Sequence, residues 1–324
     1  MDVTLRPLSL GEILDRTFQL YRSHFLMFAG ISSFAAGLDL VWKLVQTTAI
    51  RSVQHRVGAV ALGAVSSGFT LINLLIYVVV SAVAMAAITR AVSAIYLGQT
   101  TGIAQAYREV RAHWFRYVCL YIVAALLAWG PVMLIFIAVI TVAIAVPGFA
   151  SGTFGVLVLP ALLGLGTLVL FPFGVWMSLR YSLANPACVF EDLGIRAALK
   201  RSIFLSKGAM QKLNIFVMLF LVVIISSILT YAGLMPLLIS VFRDASNHVT
   251  PVLSLGMTVY SLLIQFIVAA VTIPLYAIGL TLFYYDTRIR KEGFDVEWLM
   301  QRAAGDSVPP PLDVPSPAES AGQA

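Results

Sequence analysis

Two ionisable side chains, Asp39 and Lys43, interrupt the first apolar segment of the chain. Because they are four residues apart, both side chains fall on one face of a helix. Ionisable groups inside a membrane helix are costly and usually face a cavity or each other. The pair predicts either a proton or substrate relay, or a structural ion pair in a partly interfacial helix. The structural interpretation is favoured.

Two amide side chains, Asn73 and Gln265, lie within the second and sixth apolar segments. They fit two roles, because an amide in a membrane helix either lines a pathway or hydrogen-bonds to a neighbouring helix. The second role is the more common one. We therefore predict that both amides hold helices together, with a pathway as the alternative.

A second group of charged residues lies beside the fourth and sixth apolar segments. Asp286 has three candidate partners: Arg288 and Arg290, which follow it, and Arg180 at the end of the fourth segment. Arginine recognises phosphate through two parallel hydrogen bonds, so the group predicts a cytoplasmic site for a phosphorylated lipid headgroup or a partner. The favoured alternative is that these charged residues cap helices, set the topology and anchor the protein at the membrane interface. The candidate residues are Arg180, Glu191, Arg196, Lys200, Arg201, Asp286, Arg288 and Arg290.

No residues are spaced for catalysis or for binding a metal ion. The serines within apolar segments have no nearby histidine to serve as a base. The two cysteines indicate neither a disulfide framework nor a metal site. We predict no enzyme activity, no metal and no cofactor. The histidines are far apart and lack metal-ligand spacing: His24, His55, His113 and His248.

The composition requires lipid as the solvent for most of the chain. Of 324 residues, 60% are hydrophobic and only 11% are charged, whereas soluble domains are about 25% charged. A helix needs about 20 apolar residues to cross a bilayer. The sequence therefore predicts an all-α, polytopic helical bundle with six spans, the first being the weakest. These spans are 25–45, 59–89, 115–146, 154–179, 213–241 and 253–285.

The basic residues predict the orientation. Seventeen of the 21 Lys and Arg residues lie in or beside the terminal segments and the loops on the same side, and three lie in the opposite loops. Basic residues are retained in the cytoplasm, which places both termini there. The net charge of +6 is then explained by contact with anionic lipid headgroups. We expect membrane lipids, and a possible membrane protein, as partners, and no nucleic acid.

Amphipathic helices are predicted on the cytoplasmic side before the first, third and fifth spans. The first starts with a capping box at Ser9 and Glu12, and the third is expected to cover 195–212. The pattern predicts three repeats of one amphipathic helix and two spans, with units at 9–96, 100–181 and 192–286. The alternative is that any membrane protein built from hairpins is periodic. The membrane domain is predicted to cover 1–302, and the Pro-rich tail 303–324 to be disordered.

Three stretches resemble the bacterial glycerophosphoryl diester phosphodiesterase membrane-domain family. They are LRPLSLGEILDRTFQLYRSHF at 5–25, ANPACVFEDLGIRAALKRSIFLSKG at 184–208 and LFYYDTRIRKEGFDVEWL at 282–299. The resemblance implies a protein of the bacterial inner membrane. In that family the membrane part precedes a catalytic barrel or stands alone. The barrel needs about 250 residues and an His-Arg-Gly motif, and this sequence has neither.

These observations support three functions. The first is a non-enzymatic membrane protein that binds lipid headgroups or a membrane partner at its cytoplasmic face. The alternative is a transporter or channel for a small solute, since repeats and proline-broken spans often frame a site within the membrane. The third is an enzyme acting on lipid phosphodiesters, which depends on the family resemblance alone.

Overall fold

The computed structural model describes residues 7–54, 56–96, 101–145, 153–246 and 255–293. These residues form ten helices and no strand, so the predicted all-α bundle is confirmed for this part of the chain. The predicted tail at 303–324 lies outside it. The helices are α1 Leu10–Ser23, α2 Phe25–Val53, α3 Ala59–Tyr96, α4 Ile103–Arg111, α5 Trp114–Ala145, α6 Thr153–Tyr181, α7 Ala184–Phe190, α8 Ile195–Leu205, α9 Ala209–Ser246 and α10 Leu255–Glu292.

Six helices, α2, α3, α5, α6, α9 and α10, are long and apolar enough to cross a membrane. This confirms the number of predicted spans, including the doubtful first one, which has the lowest mean hydropathy of the six. Each is longer than the about 20 residues that a bilayer requires, so it tilts or extends beyond the hydrocarbon. Their outward faces carry exposed Leu, Ile, Val and Phe side chains. A lipid environment therefore suits this surface.

The four shorter helices lie at one end of the bundle, here called the short-helix face. The predicted capping box at α1 is confirmed, because Ser9 Oγ accepts from Glu12 N at 3.3 Å and Glu12 Oε2 accepts from Ser9 N at 2.8 Å. Helix α4 is tied to α2 by Tyr107, whose hydroxyl donates to Ile31 O at 2.7 Å. Burial raises the pKa of Tyr107 to about 12. Its hydroxyl therefore remains protonated, and able to donate, at neutral pH.

The predicted helix 195–212 is wrong in its extent. Helix α8 ends at Leu205 and α9 begins at Ala209, and the turn between them contains Gly208 with φ +129°. An L side chain rarely adopts this conformation, so the chain changes direction here. Lys291 completes the turn, donating from Nζ to the carbonyls of Phe204, Leu205 and Lys207 at 2.8, 2.9 and 3.0 Å. These bonds satisfy carbonyl groups left free where α8 ends.

A short helix precedes each pair of long helices: α1, α4 and α8. This order is the one that the threefold repeat predicts. Helix α7 was not anticipated, and it lies between the second and third predicted units. The equivalence of the units at 9–96, 100–181 and 192–286 stays a prediction.

The core of the bundle surrounds the second half of α10. Nearly every residue from Ala270 to Ile289 is buried, by contact with α1, α2, α3 and α9. Helices α5 and α6 differ, since they pack mainly against each other. The molecule is therefore tightly packed at the end that carries the short-helix face, and α5 and α6 form a peripheral hairpin.

Pro274 lies inside α10 and removes the backbone N–H that would pair with Ala270 O. Ser32 of α2 supplies the missing donor. Its hydroxyl is fully buried and lies 2.6 Å from Ala270 O, as well as within bonding distance of Phe28 O in its own helix. A carbonyl freed by proline in a membrane helix must find a partner inside the protein, so this contact joins α2 to α10.

We expect Ser32→Ala to destabilise the protein by about 1–2 kcal/mol, because Ala270 O loses its partner. In a Pro274→Ala background the backbone N–H is restored, and the same substitution should cost less than half as much. Thermal unfolding of the four proteins in detergent measures this double-mutant cycle. Equal costs in both backgrounds would show that the hydroxyl does not compensate for the proline.

Candidate functional site

The structure brings together the four polar residues predicted within the spans. In α2, Lys43 Nζ lies 2.8 Å from Asp39 Oδ2. Asn73 of α3 donates to Asp39 Oδ1 at 3.2 Å, and Lys43 donates to Gln265 Oε1 of α10 at 3.4 Å. Three helices therefore meet at one ion pair.

This polar group lies near the middle of α2. Asp39 is about 21 Å along the helix axis from Phe25, and its side chain and that of Lys43 are 19% and 30% exposed. The carboxylate and the ammonium compensate each other's charge, and each also bonds an amide. This arrangement fits the favoured structural role, since a charge in an apolar region is tolerated when it is paired and hydrogen-bonded.

A second polar group lies at the short-helix face and includes three of the predicted binding residues, Glu191, Arg201 and Arg288. Arg201 of α8 donates from Nε to Glu191 Oε1 at 2.8 Å and from Nη2 to Glu292 Oε2 at 2.6 Å. Its Nη1 also bonds Glu292, so this pairing is bidentate. Arg288 Nε lies 3.3 Å from Glu292 Oε2 and 3.9 Å from Glu191 Oε1, while the Tyr284 hydroxyl donates to Glu191.

This group ties α7, α8 and α10 together. The hydrogen bonds to Glu292, more than those to Glu191, raise the pKa of the Arg201 guanidinium above its usual range. Arg201 therefore stays charged and paired. Its fork is already occupied by two carboxylates, which leaves it poorly suited to bind an incoming phosphate.

Asp286 is paired with Arg290, one of its three predicted partners. Arg290 Nε donates to Asp286 Oδ2 at 2.8 Å, and its Nη2 donates to Leu8 O at 2.5 Å. Leu8 N in turn donates to Asp286 Oδ1 at 2.7 Å. The buried carboxylate and the arginine thus bind both backbone groups of Leu8 and hold the segment before α1 against α10. Their contacts are structural.

The remaining predicted cations, Arg180, Arg196 and Lys200, have no acidic partner among the described residues. Arg196 and Lys200 are exposed on the outer side of α8. Arg180 lies at the end of α6 with its Cζ 5.7 Å from the ring centre of Trp176, and Lys212 Nζ of α9 lies 4.9 Å from the same ring. The Trp176 side chain is 42% exposed.

Trp176 and Lys212 were missed by the sequence analysis. Trp176 precedes Arg180 by four residues, so both lie on one face at the end of a span. An aromatic residue followed by a cation at a span end is typical of the membrane interface, and this signal could have identified Trp176. Lys212 is contributed by another helix, so only the structure pairs it with the ring. No group of three or more His, Cys, Asp or Glu side chains in the described ranges is placed to hold a metal ion.

We expect Arg201→Ala to lower stability by about 2 kcal/mol, because Glu191 and Glu292 lose their shared partner in a region only partly open to solvent. Arg196→Ala removes the same type of side chain from the exposed side of α8, and should change stability by less than about 0.5 kcal/mol. Thermal unfolding in detergent compares the two. Similar losses for both variants would contradict a structural role for the Arg201 pairing.

The chain was compared with known proteins, and it matches no protein-family profile, no curated protein and no solved structure. The resemblance to the glycerophosphoryl diester phosphodiesterase membrane-domain family therefore stays a prediction made from the residues at 5–25, 184–208 and 282–299.

Proposed function

We propose that this multi-pass membrane protein binds anionic lipid headgroups at its short-helix face, which is the cytoplasmic face, and that it is not an enzyme. The observation that carries the proposal is the meeting of Arg180 and Lys212 on the half-exposed ring of Trp176. Two cations from different helices flank one interfacial aromatic residue. Neither has a carboxylate partner within the described part of the chain.

The chemistry of this group suits a phospholipid headgroup. Tryptophan prefers the headgroup level of a bilayer, and its ring holds both cations by cation–π contact. Arginine and lysine there remain available for phosphate oxygens. Each basic residue near an anionic membrane surface contributes about 1 kcal/mol to lipid attraction. Arg196 and Lys200 extend the same positive surface along α8.

The arginines that already have carboxylate partners are not part of the proposed headgroup site. Arg201, Arg288 and Arg290 have carboxylate partners at 2.8–3.3 Å, and replacing those partners with phosphate gains little. The headgroup site proposed here is accordingly narrower than the one expected from the sequence. It comprises Arg180, Trp176 and Lys212, with the exposed residues of α8 beside them.

We expect the double variant Arg180→Gln/Lys212→Gln to lose about ten- to thirtyfold in affinity for phosphatidylglycerol, because two headgroup charges are removed. Native mass spectrometry of delipidated protein titrated with phosphatidylglycerol or phosphatidylethanolamine measures the change. Arg56→Gln, an exposed arginine at the opposite end of the bundle, is the matched control. Unchanged preference for the anionic lipid in the double variant would overturn the proposal.

Transport of a small solute is the second candidate function, and the meeting of Asp39, Lys43, Asn73 and Gln265 favours it. A paired carboxylate in the middle of a bundle is a typical element of a proton pathway. If this function is correct, proteoliposomes containing a pH-sensitive dye should show proton flux, and Asp39→Asn should lower it at least tenfold. Glu109→Gln, on the exposed side of α4, should leave the flux unchanged. Flux that is absent, or equal in both variants, would reject this function.

A further inference from the structure

A cavity of about 250 Å³ lies inside the short-helix half of the bundle, between the α5–α6 hairpin and helices α3 and α10. Helix α7 closes one end. Tyr121 and Ala125 on its wall are exposed on the outer surface of α5, so the cavity opens sideways toward the bilayer. Its wall is formed by Ala82, Met85, Tyr117, Leu120, Tyr121, Ala124, Ala125, Ala128, Trp129, Ser178, Tyr181, Ser182, Ala184, Asn185, Tyr276 and Leu280.

The wall changes from polar to apolar along its length. Hydroxyl and amide groups of Tyr117, Ser178, Ser182 and Asn185 gather near the short helices, whereas the alanines of α5 and Trp129 line the other end. Tyr117 and Trp129 are about 18 Å apart along the axis of α5. The cavity thus offers a hydrogen-bonding end and an elongated apolar end to one ligand.

One hydrogen-bond donor at the polar end of the cavity lacks an acceptor. The hydroxyl of Tyr117 is buried and has no hydrogen-bond partner in the described part of the chain, although Tyr117 lines the cavity and is only 1% exposed. Outside the cavity wall, the Nε groups of Arg116 and Arg90 are also buried without a partner in that part of the chain. The Arg116 guanidinium lies 5.6 Å from the ring centre of Tyr117.

The carboxylate of Asp192 pairs with Arg116. Asp192 accepts hydrogen bonds from the two terminal nitrogens of Arg116, one to its side chain and one to its backbone carbonyl at 3.2 Å. Arg116 and, to a smaller degree, Arg90 hold the pKa of Asp192 below its usual range. The Arg116 guanidinium therefore lies beside the phenol ring of Tyr117, outside the cavity wall, and its terminal nitrogens are bonded to an exposed acid.

We propose that the cavity binds a single-chain acidic amphiphile, with its carboxylate or phosphate group accepting from the Tyr117 hydroxyl, beside the positive charge of Arg116, and its hydrocarbon chain against Ala124, Ala128 and Trp129. Buried donors are nearly always satisfied in folded proteins, and an anionic head supplies the missing acceptor.

The size and the wall of the cavity select one chain. Its volume of about 250 Å³ is below the range of about 300–1,000 Å³ typical of ligand pockets, so the cavity encloses part of one hydrocarbon chain and has no room for the two chains of a phospholipid. The middle of the wall has no charged side chain, as a hydrocarbon chain requires. The opening beside Tyr121 and Ala125 lets such a ligand enter from the bilayer.

The decisive variant is Tyr117→Phe, because the geometry of the described residues gives the Tyr117 hydroxyl no hydrogen-bond partner. We expect unchanged or slightly higher thermal stability without ligand, together with at least a tenfold loss of affinity for oleate and for lysophosphatidic acid. Tyr107→Phe is the matched control. It removes a hydroxyl that bonds Ile31 O, so it should lower stability and leave the affinity unchanged.

Affinity is measured on the full chain in detergent, from quenching of tryptophan fluorescence by fatty acids brominated along the chain. Trp129→Phe should remove most of the quenching, since Trp129 lines the chain end of the cavity. Ala124→Phe should block the chain and abolish quenching. The proposal would be overturned if the fatty acid quenched the fluorescence of Tyr117→Phe with wild-type affinity, or if quenching persisted in Trp129→Phe.

Two further ligands and one direct comparison test the chemical class of the ligand. Neutral monoacylglycerol should bind at least tenfold more weakly than oleate, and equal affinities would refute an anionic head. Inorganic phosphate should not compete with oleate at millimolar concentration, and effective competition would refute the role of the chain. Lysophosphatidic acid and oleate, compared directly, show whether phosphate or carboxylate is preferred. The site is independent of the headgroup site at Trp176, so Arg180→Gln/Lys212→Gln should leave oleate binding unchanged.

Discussion

Burial of the second half of α10 is the constraint on which the arrangement of the other helices depends. A helix in a bilayer can leave its apolar side chains in lipid, but α10 is enclosed by protein from Ala270 to Ile289. Packing in a membrane gains little from the hydrophobic effect, and contact between helices depends on close fit and on polar bonds. The contacts around α10 are of this kind. Ser32 satisfies the carbonyl freed by Pro274. Asp286 bonds the segment before α1, Glu292 bonds Arg201 of α8, and Lys291 bonds the carbonyl groups where α8 ends.

The charges of the short-helix face fall into two sets with different roles. Arginines whose neighbours are carboxylates hold helices together, and their forks are filled. Arg180 and Lys212, which lie beside the ring of Trp176, have no carboxylate partner among the described residues. The number of basic residues in the sequence therefore overstates the number of cations that lack such a partner. The partners of each cation, rather than the number of cations, decide which ones keep their hydrogen-bonding capacity.

Hydropathy and local motifs were sufficient to predict the six spans and the capping box at Ser9, because both depend on residues close together in sequence. The pairing of Asp39 with Lys43 was predicted for the same reason. Contacts between distant segments could not be predicted. Arg201 meets Glu292 across 91 residues and Leu8 meets Asp286 across 278, and no local pattern specifies either. Helix α7, the turn at Gly208 and the cavity at Tyr117 also arise from tertiary packing. Asn73 and Gln265 could be selected from the sequence because they are polar residues inside apolar segments. Only the structure shows that both bond to the same ion pair.

The bonds between Leu8 and α10 have a consequence for the order of assembly during synthesis. A ribosome adds about 5–20 residues per second, so roughly 15–60 seconds separate the synthesis of Leu8 from that of Asp286, 278 residues later. During that interval the segment before α1 cannot reach its final position, although it is synthesised before all six spans. The segment before α1 can therefore dock only after α10 has been completed. The two ends of the described helical bundle are joined only when α10 is in place.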